Sequence, residues 1–181
     1  IAVADTLKPD AKDMVSALDR MHVTVWMITG DNERTAKAIA SEVGIKNIMA
    51  GVLPDQKAQK IKELKQKNQV VAFVGDGIND APALAAADVG IAMGSGSDIA
   101  IEVGDIVLVK GSLIGVVQAI NLSKATFKKI KQNLFWAFGY NVIAIPLAVA
   151  GVLNPIVAEL AMALSSISVV ANANLLRRKR I

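Results

Sequence analysis

Cysteine is absent from the 181 residues, and histidine occurs once, at His22. The first absence excludes disulfides, thiolate metal sites and cysteine nucleophiles within this chain. The second excludes a zinc site built from imidazoles. His22 follows a helical pattern just before an apolar strand and reads as a surface or helix-end residue. Aromatic residues are scarce, at 4%, and Tyr140 is the single tyrosine. Charge is missing from two long stretches: 133–153 has none, and 155–176 has only Glu159. Hydrophobic residues make up 53% of the chain, with the excess at its C-terminal end.

The net charge of +4 matters less than where it sits. Lys124, Lys128, Lys129 and Lys131 precede the uncharged region, and Arg177, Arg178, Lys179 and Arg180 follow it. Taken alone, such clusters suggest nucleic-acid binding. Flanking apolar stretches, they fit the positive-inside rule, and no nucleic-acid partner is expected. Each stretch is long enough to cross a hydrocarbon core of ~30 Å at ~1.5 Å per residue. With Asn154 and Pro155 leaving room for a tight turn, the two spans, about 133–153 and 155–176, form an antiparallel hairpin. Both outer ends, and the domain before them, then lie on the cytoplasmic side of a multi-pass membrane protein. The alternative is the buried helical hairpin of a soluble protein. No signal peptide is visible, and the opening reads like the middle of a domain, so the chain is expected to be a fragment.

Residues 1–122 alternate between strand-like and helix-like segments. Strands are expected at 2–4, 23–28, 47–50, 70–74, 89–92 and 106–109, and helices at 9–21, 32–43, 54–67 and 81–87. Asp31 or Asn32 would cap the second helix, Gly44 would stop it, and Pro54 would start the third. Such alternation indicates a parallel sheet covered by helices on both faces, the α/β class. The division is therefore 1–122 as a soluble domain and 123–181 as the hairpin with its basic flanks.

The densest chemistry lies at 70–80, where five apolar residues run into Gly75, Asp76, Gly77, Ile78, Asn79 and Asp80. An unbroken apolar run suits a strand buried on both faces. Gly75 and Gly77 let the chain turn as that strand ends, gathering Asp76, Asn79 and Asp80 where open α/β sheets place their ligands. Oxygen ligands beside a phosphate are how Mg²⁺ is usually held; the bland reading is a turn with solvated acids. Thr29, Gly30 and Asp31 follow another strand and open a helix, which makes an anion site or simply an N-cap turn. Lys57 sits in the first turn of a helix, where a cation gains nothing from the dipole. It is either an ordinary solvated lysine or one aimed at a phosphate. The loop 94–97 reads as a structural turn.

Strand-end threonine, helix-borne lysine and then Gly-Asp-Gly-x-Asn-Asp, in that order, resemble the haloacid dehalogenase-like phosphorylation domain of P-type ATPases. The resemblance implies that Asp76 coordinates Mg²⁺, with Asp80 and Asn79 shaping the surroundings of that ion. It implies that Lys57 and Thr29 hold the transferred phosphoryl group and that Asp31 positions nucleotide or phosphate. The family's phosphorylated aspartate lies in an Asp-Lys-Thr-Gly-Thr motif that this chain does not contain. The chain by itself is therefore not expected to turn over ATP.

Within the spans, polar side chains are costly and usually face a pathway or a neighbouring helix. Met162 and Ser166 are four residues apart and share a helical face, with Glu159 on the same stripe. Tyr140 and Asn141 lie at a similar depth on the other span, so one ion could touch both helices. Interhelical hydrogen bonding and gap filling are the alternatives. Tyr-Asn followed by Met-x-x-Ser-Ser resembles the last two spans of copper(I)- and silver-transporting heavy-metal ATPases. Tyr140, Asn141, Met162 and Ser166 would then form part of a Cu⁺ site, and thioether sulfur suits that soft ion. The family's Cys-Pro-Cys span is not in this chain. Zinc-exporting relatives would carry a lysine in the first span and an aspartate in the second, and neither is present. The expected function is part of an ATP-driven copper(I) export pump with an aspartyl-phosphate intermediate. Its implied partners are the nucleotide-binding and actuator domains, the Cys-Pro-Cys span, the lipid bilayer and a copper chaperone. Rival readings are a membrane-anchored phosphatase of the same fold and a non-catalytic regulatory or assembly fragment.

Overall fold

The structure, a computed structural model, describes residues 7–66, 69–76, 78–94, 98–152 and 154–178. The strand expected at 2–4, Gly77, positions 95–97, Lys179 and Arg180 lie outside these. The chain divides into two compact units, Ile1–Val117 and Gln118–Ile181.

In the first unit, helices and strands alternate: α1 (Ala11–Arg20), β1 (Trp26–Ile28), α2 (Glu33–Val43), β2 (Asn47–Met49), α3 (Pro54–Lys65) and β3 (Ala72–Gly75). A 3-10 turn at Ile78–Asp80 leads into α4 (Ala81–Ala86), then β4 (Val89–Met93), α5 (Asp98–Val103) and β5 (Ile106–Leu108). Local chemistry sets several of these bounds. Asn32, not Asp31, caps α2, its side-chain oxygen accepting from the Thr35 N–H at 3.0 Å. Gly44 ends the same helix in the left-handed region at φ 85°, where a side chain would be strained. Pro54 occupies the first turn of α3, where its missing N–H costs nothing. The short helix α5 has no counterpart in the sequence reading, which saw only turn-forming residues before it.

Every recorded strand pair is parallel, as the alternation predicts, but the strands form two ladders. One is β1–β2, with Trp26 opposite Asn47; the other is β3–β4–β5, with Gly75 opposite Ala92 and Met93 opposite Leu108. The apolar run at 70–74 was expected to be buried on both faces, and it is not. Val70 is 86% exposed, Ala72 is exposed, and Phe73 and Val74 are half-buried. The reason is position: β3 is an edge of its ladder, whereas β4 has a partner on each side. Ile91, Ala92 and Met93 of β4 are accordingly buried. Val15 and Leu18, Ala36 and Ala40, Ile61 and Leu64, and Ala83 and Leu84 form the buried faces of the first four helices, with Val15 packed beside Ala11 and Val43.

A pin holds the end of this unit to its beginning. The Asp10 carboxylate accepts from the Ser112 hydroxyl and from the Ile114 N–H at 3.2 Å, and Lys8 donates to the Gly111 carbonyl at 3.0 Å. The serine bond, with the Ile114 amide, holds the Asp10 carboxyl below the usual carboxylate range.

Ile114 opens α6 (Ile114–Val149), a single helix of 36 residues that starts well before the span expected at about 133–153. Nothing breaks it: no proline occurs before Pro146, and even there the helix continues, the Ala150 N–H bonding the Pro146 carbonyl at 3.0 Å. The connection that follows is longer than the two-residue turn expected. It includes Gly151 at φ 69°, and Asn154 then caps α7 (Pro155–Asn174). In the second unit, half-buried positions recur at helical spacing, with Asn133, Ala137, Tyr140 and Ala144 on α6. Ala161, Ser165, Val169 and Asn172 do so on α7. Large apolar residues such as Phe135, Phe138, Leu160 and Ile167 point outward. Among the described residues, one helix, Pro155–Arg177, is long and apolar enough throughout to cross a membrane.

Candidate functional site

In the first unit the polar groups of interest stand at two strand ends. Beyond β1, the Thr29 N–H bonds the Met49 carbonyl and the Thr29 carbonyl accepts from the Val52 N–H, each at 3.0 Å. The Thr29 hydroxyl donates to the Asp31 carboxylate at 2.9 Å and accepts from the Asp31 N–H at 3.1 Å. Threonine and aspartate are thus folded onto one another in an exposed turn, which the Gly51 N–H closes by bonding the Asp31 carbonyl at 2.8 Å. A side chain at Gly30 would meet only the Val52 carbonyl at 3.6 Å, so close packing does not demand glycine there.

At the end of β3 the demand is strict. Gly75 was read as a turn glycine, but it is the buried last residue of the strand. A Cβ on it would lie 2.7 Å from the Asp80 Cβ. Glycine therefore makes room for the Asp80 side chain to lie against the strand. Asp80 is 9% exposed, and its carboxylate receives the Lys57 ammonium at 2.7 Å. Its other oxygen lies 3.4 Å from the Asp76 backbone nitrogen, which donates to it. The Lys57 position, unfavourable by the helix dipole, now has its explanation: α3 aims the lysine at Asp80. The backbone bond from Val52 to Thr29 precedes α3 directly, so only Leu53 separates the β1 turn from the helix that carries Lys57.

Asp76 and Asn79, by contrast, are exposed. One exposed carboxylate beside a side-chain amide suits a hard cation that keeps most of its water and shares phosphate oxygens. It does not suit a cage of protein ligands. Among the described residues no three His, Cys, Asp or Glu side chains converge to hold an ion by themselves. Asp80 is turned toward Lys57. A cavity of about 310 Å³ lies elsewhere in this unit, lined by Glu33, Lys37, Ile48, Ala50 and Gly51. Its charges already neutralise each other: Lys37 lies 2.6 Å from Glu33 and, by hydrogen bond and charge, lowers the pKa of that carboxyl.

In the second unit, Tyr140 is half-buried, while Asn141, Met162 and Ser166 are exposed. Asn141 donates from its amide nitrogen to the Ala137 carbonyl at 2.7 Å, so its oxygen is the atom left to accept or ligate. Ser166 donates to the Met162 carbonyl at 3.2 Å. Asn141 and Ser166 thus each donate within their own helix.

Comparison with known proteins accounts for this combination. Residues 1–88 match the model of the haloacid dehalogenase-like hydrolases. The whole chain is 56% identical over 181 residues to a copper-exporting P-type ATPase of Staphylococcus haemolyticus, and 55% identical to one of Staphylococcus epidermidis. It spans 23% of the length of each. A crystal structure of a zinc-transporting PIB-type ATPase superposes with a TM-score of 0.89 at 43% identity, covering 95% of this chain and 28% of that one. The chain belongs to the P-type ATPases.

In this P-type ATPase chain, sequence reasoning singled out Lys57 and Asp80 as candidates but did not anticipate their pairing. The Lys57–Asp80 contact joins residues 23 apart, and no local pattern announces such a bond. One signal was available: a lysine in a first helical turn, against the dipole, asks for a carboxylate nearby. The role of Gly75 was hidden for a similar reason, because the side chain it accommodates comes from the following turn.

Proposed function

We propose that this chain is the part of a copper(I)-exporting P-type ATPase that carries the magnesium-dependent phosphoryl-transfer machinery and two membrane spans. The observation that carries the reading is the Lys57–Asp80 pair seated against the Asp76 backbone at the mouth of β3. It brings a lysine ammonium close to the backbone of Asp76, whose own carboxylate is exposed, an arrangement that suits a phosphate and a divalent ion together. Asp76, aided by Asn79, would hold Mg²⁺, which when bound neutralises charge on the phosphoryl oxygens of ATP. Lys57 stabilises the same oxygens, and Asp80 holds Lys57 in place. The Thr29 hydroxyl and backbone, at the β1 turn, would receive the phosphoryl group from another side, with Asp31 orienting the hydroxyl.

For the cargo, the relatives with copper in their names are 54–58% identical, against 43% for the zinc transporter. Met162 offers a thioether and Asn141 an oxygen, a donor pair that suits Cu⁺ better than Zn²⁺. Silver(I) shares that chemistry. The apolar outer surfaces of α6 and α7 suit lipid, and the flanking basic residues favour cytoplasmic ends for both helices. The remaining domains of the pump are the partners this reading requires.

The test is phosphorylation of the full-length protein by ATP with Cu⁺ or Zn²⁺ present. Labelling that depends on Cu⁺ is the expected result. Dependence on Zn²⁺ instead would overturn the cargo, and no labelling with either ion would overturn the ATPase.

A further inference from the structure

The face that α6 and α7 share carries a polar chain that the proposed reaction does not use. Lys129 donates to the Asn172 side-chain oxygen at 2.6 Å, and the Asn172 amide donates to the Asn133 oxygen at 2.8 Å. All three side chains are half-buried. The rest of that face is mostly small, with Ala137 and Ala144 on one helix and Ala161 and Ser165 on the other. Small residues let helices approach closely, but one alanine packs much like the next, so they define the vertical alignment weakly. A polar pair on such a seam selects one alignment, because any slip parts half-buried amide groups that are paired in this one.

We propose that the Asn133–Asn172 pair, held by Lys129, is a register clamp that positions Asn141 opposite Met162 and Ser166. This rests on the copper reading above. The alignment follows by counting away from the clamp. Each step forward on α6 is matched by one step back on α7, so Tyr140 stands level with Ser165, seven residues from the clamp on each helix. Asn141 stands level with Leu164, midway between Met162 and Ser166, ~12 Å from the clamp at helical rise.

Rotation agrees with height. At ~100° per residue, Tyr140 and Ser165 return to within about 20° of the clamp direction. Both are half-buried, as side chains on the seam should be. Asn141 and Met162 each turn about 80° away from the seam, and Ser166 about 120°. Because the helices run in opposite directions, these turns lead to the same flank. All three are exposed there, Met162 to 69%. A slip of one helical turn, ~5.4 Å, would take Asn141 out of the gap between Met162 and Ser166.

Neither asparagine touches the ion in this account; they are positioning residues. The test uses the full-length ATPase with Asn133→Leu, Asn172→Leu, the double variant, and the milder Asn172→Asp. The last keeps an acceptor for Lys129 and removes only the N–H to Asn133. Cu⁺ affinity is read by competition with a chromogenic chelator. The helix alignment is read as the distance between spin-labelled unnatural residues at Phe138 and Ile167. Phosphorylation by inorganic phosphate, which needs no metal, reports that each variant is folded.

Each single variant is expected to weaken Cu⁺ binding 10- to 100-fold, the usual effect of removing a residue that orients a ligand. The double should lose little more, and the spin-label distance should shift or broaden in all of them. Unchanged Cu⁺ affinity, or losses that simply multiply in the double, would overturn the clamp. So would a changed distance with unchanged affinity. A parent protein that binds no Cu⁺ overturns the copper reading instead. In that case an unchanged distance in Asn172→Asp would still overturn the clamp independently.

Discussion

The first unit buries its aliphatic side chains and sets its charges at strand ends, whereas the second turns its large apolar side chains outward and keeps amides where its helices meet. Ile61 and Leu84 are 1% exposed in the first; Phe135 is 69% and Phe138 60% exposed in the second. The contrast extends to how each candidate site is held. At Asp76 the supports are tertiary: a lysine from α3, a carboxylate from the following turn, and a glycine that makes room. At Asn141 and Ser166 the bonds are local, each side chain leaning on its own helix. A site built from loops needs long-range bonds to become rigid, while one built on helix faces inherits rigidity and needs only alignment.

The largest effect should separate the units most clearly. In the full-length protein, Asp76→Asn is expected to abolish ATP-dependent phosphorylation, a loss of at least ~100-fold, with Cu⁺ binding intact. ³²P labelling and copper titration measure the two arms, and normal labelling would refute the assignment of Asp76. Met162→Leu is the mirror image. It keeps volume and typically costs under ~1.5 kcal/mol in packing. Cu⁺ affinity and copper-stimulated turnover should fall about 10-fold or more while phosphorylation by inorganic phosphate survives. If copper binding were unchanged, Met162 would be filler.

Much of the first unit could be read in advance because its determinants are local. Asn32, Gly44 and Pro54 each act within one helical turn of where they stand, and alternating segments require parallel strands. Whether a strand is central or an edge depends on its neighbours instead, and an apolar run at 70–74 looks alike in both places. The site residues were visible as types at a strand end. Their contacts were not, since Lys57 and Asp80 meet only once α3 and the turn after β3 are both placed. In the second unit the length of α6 was misjudged because the lysines of its first half look like the end of one element. A helix, however, is continued by its backbone whatever the polarity of its surface.

That difference predicts where a single change spreads. Lys57→Met should slow phosphoryl transfer at saturating ATP and also destabilise the first unit, by about 2 kcal/mol, because a part-buried charged hydrogen bond to Asp80 is lost. Adding Asp80→Asn should recover part of the stability but none of the rate. Thermal unfolding and single-turnover labelling distinguish these, and full recovery of both would mean that the pair is structural only.

The smallest expected effect concerns pH. The Asp10 pKa is lowered in the fold, chiefly by the Ser112 hydroxyl. Its contribution is therefore present above the ordinary value of 3.8 and is lost as pH falls through the lower folded value. Asp10→Asn should lower the unfolding midpoint by a few degrees at neutral pH, and the gap from the parent should close below about pH 4. A gap that persisted in acid would show that the pin works through shape rather than charge.

Pro146 gives α6 a property that its hydrogen-bond ladder alone would deny it. Proline has no N–H to offer the carbonyl one turn earlier, so the Val142 oxygen loses its ordinary intrahelical donor. That oxygen belongs to the residue after Asn141. Bending a helix normally stretches bonds that hydrocarbon cannot replace, but here one bond is already missing, and the stiffness drops at a single place. Thermal or driven flexing of the last turn will concentrate there. Compliance is thereby assigned to the stretch beyond Asn141, away from the pair at Asn133.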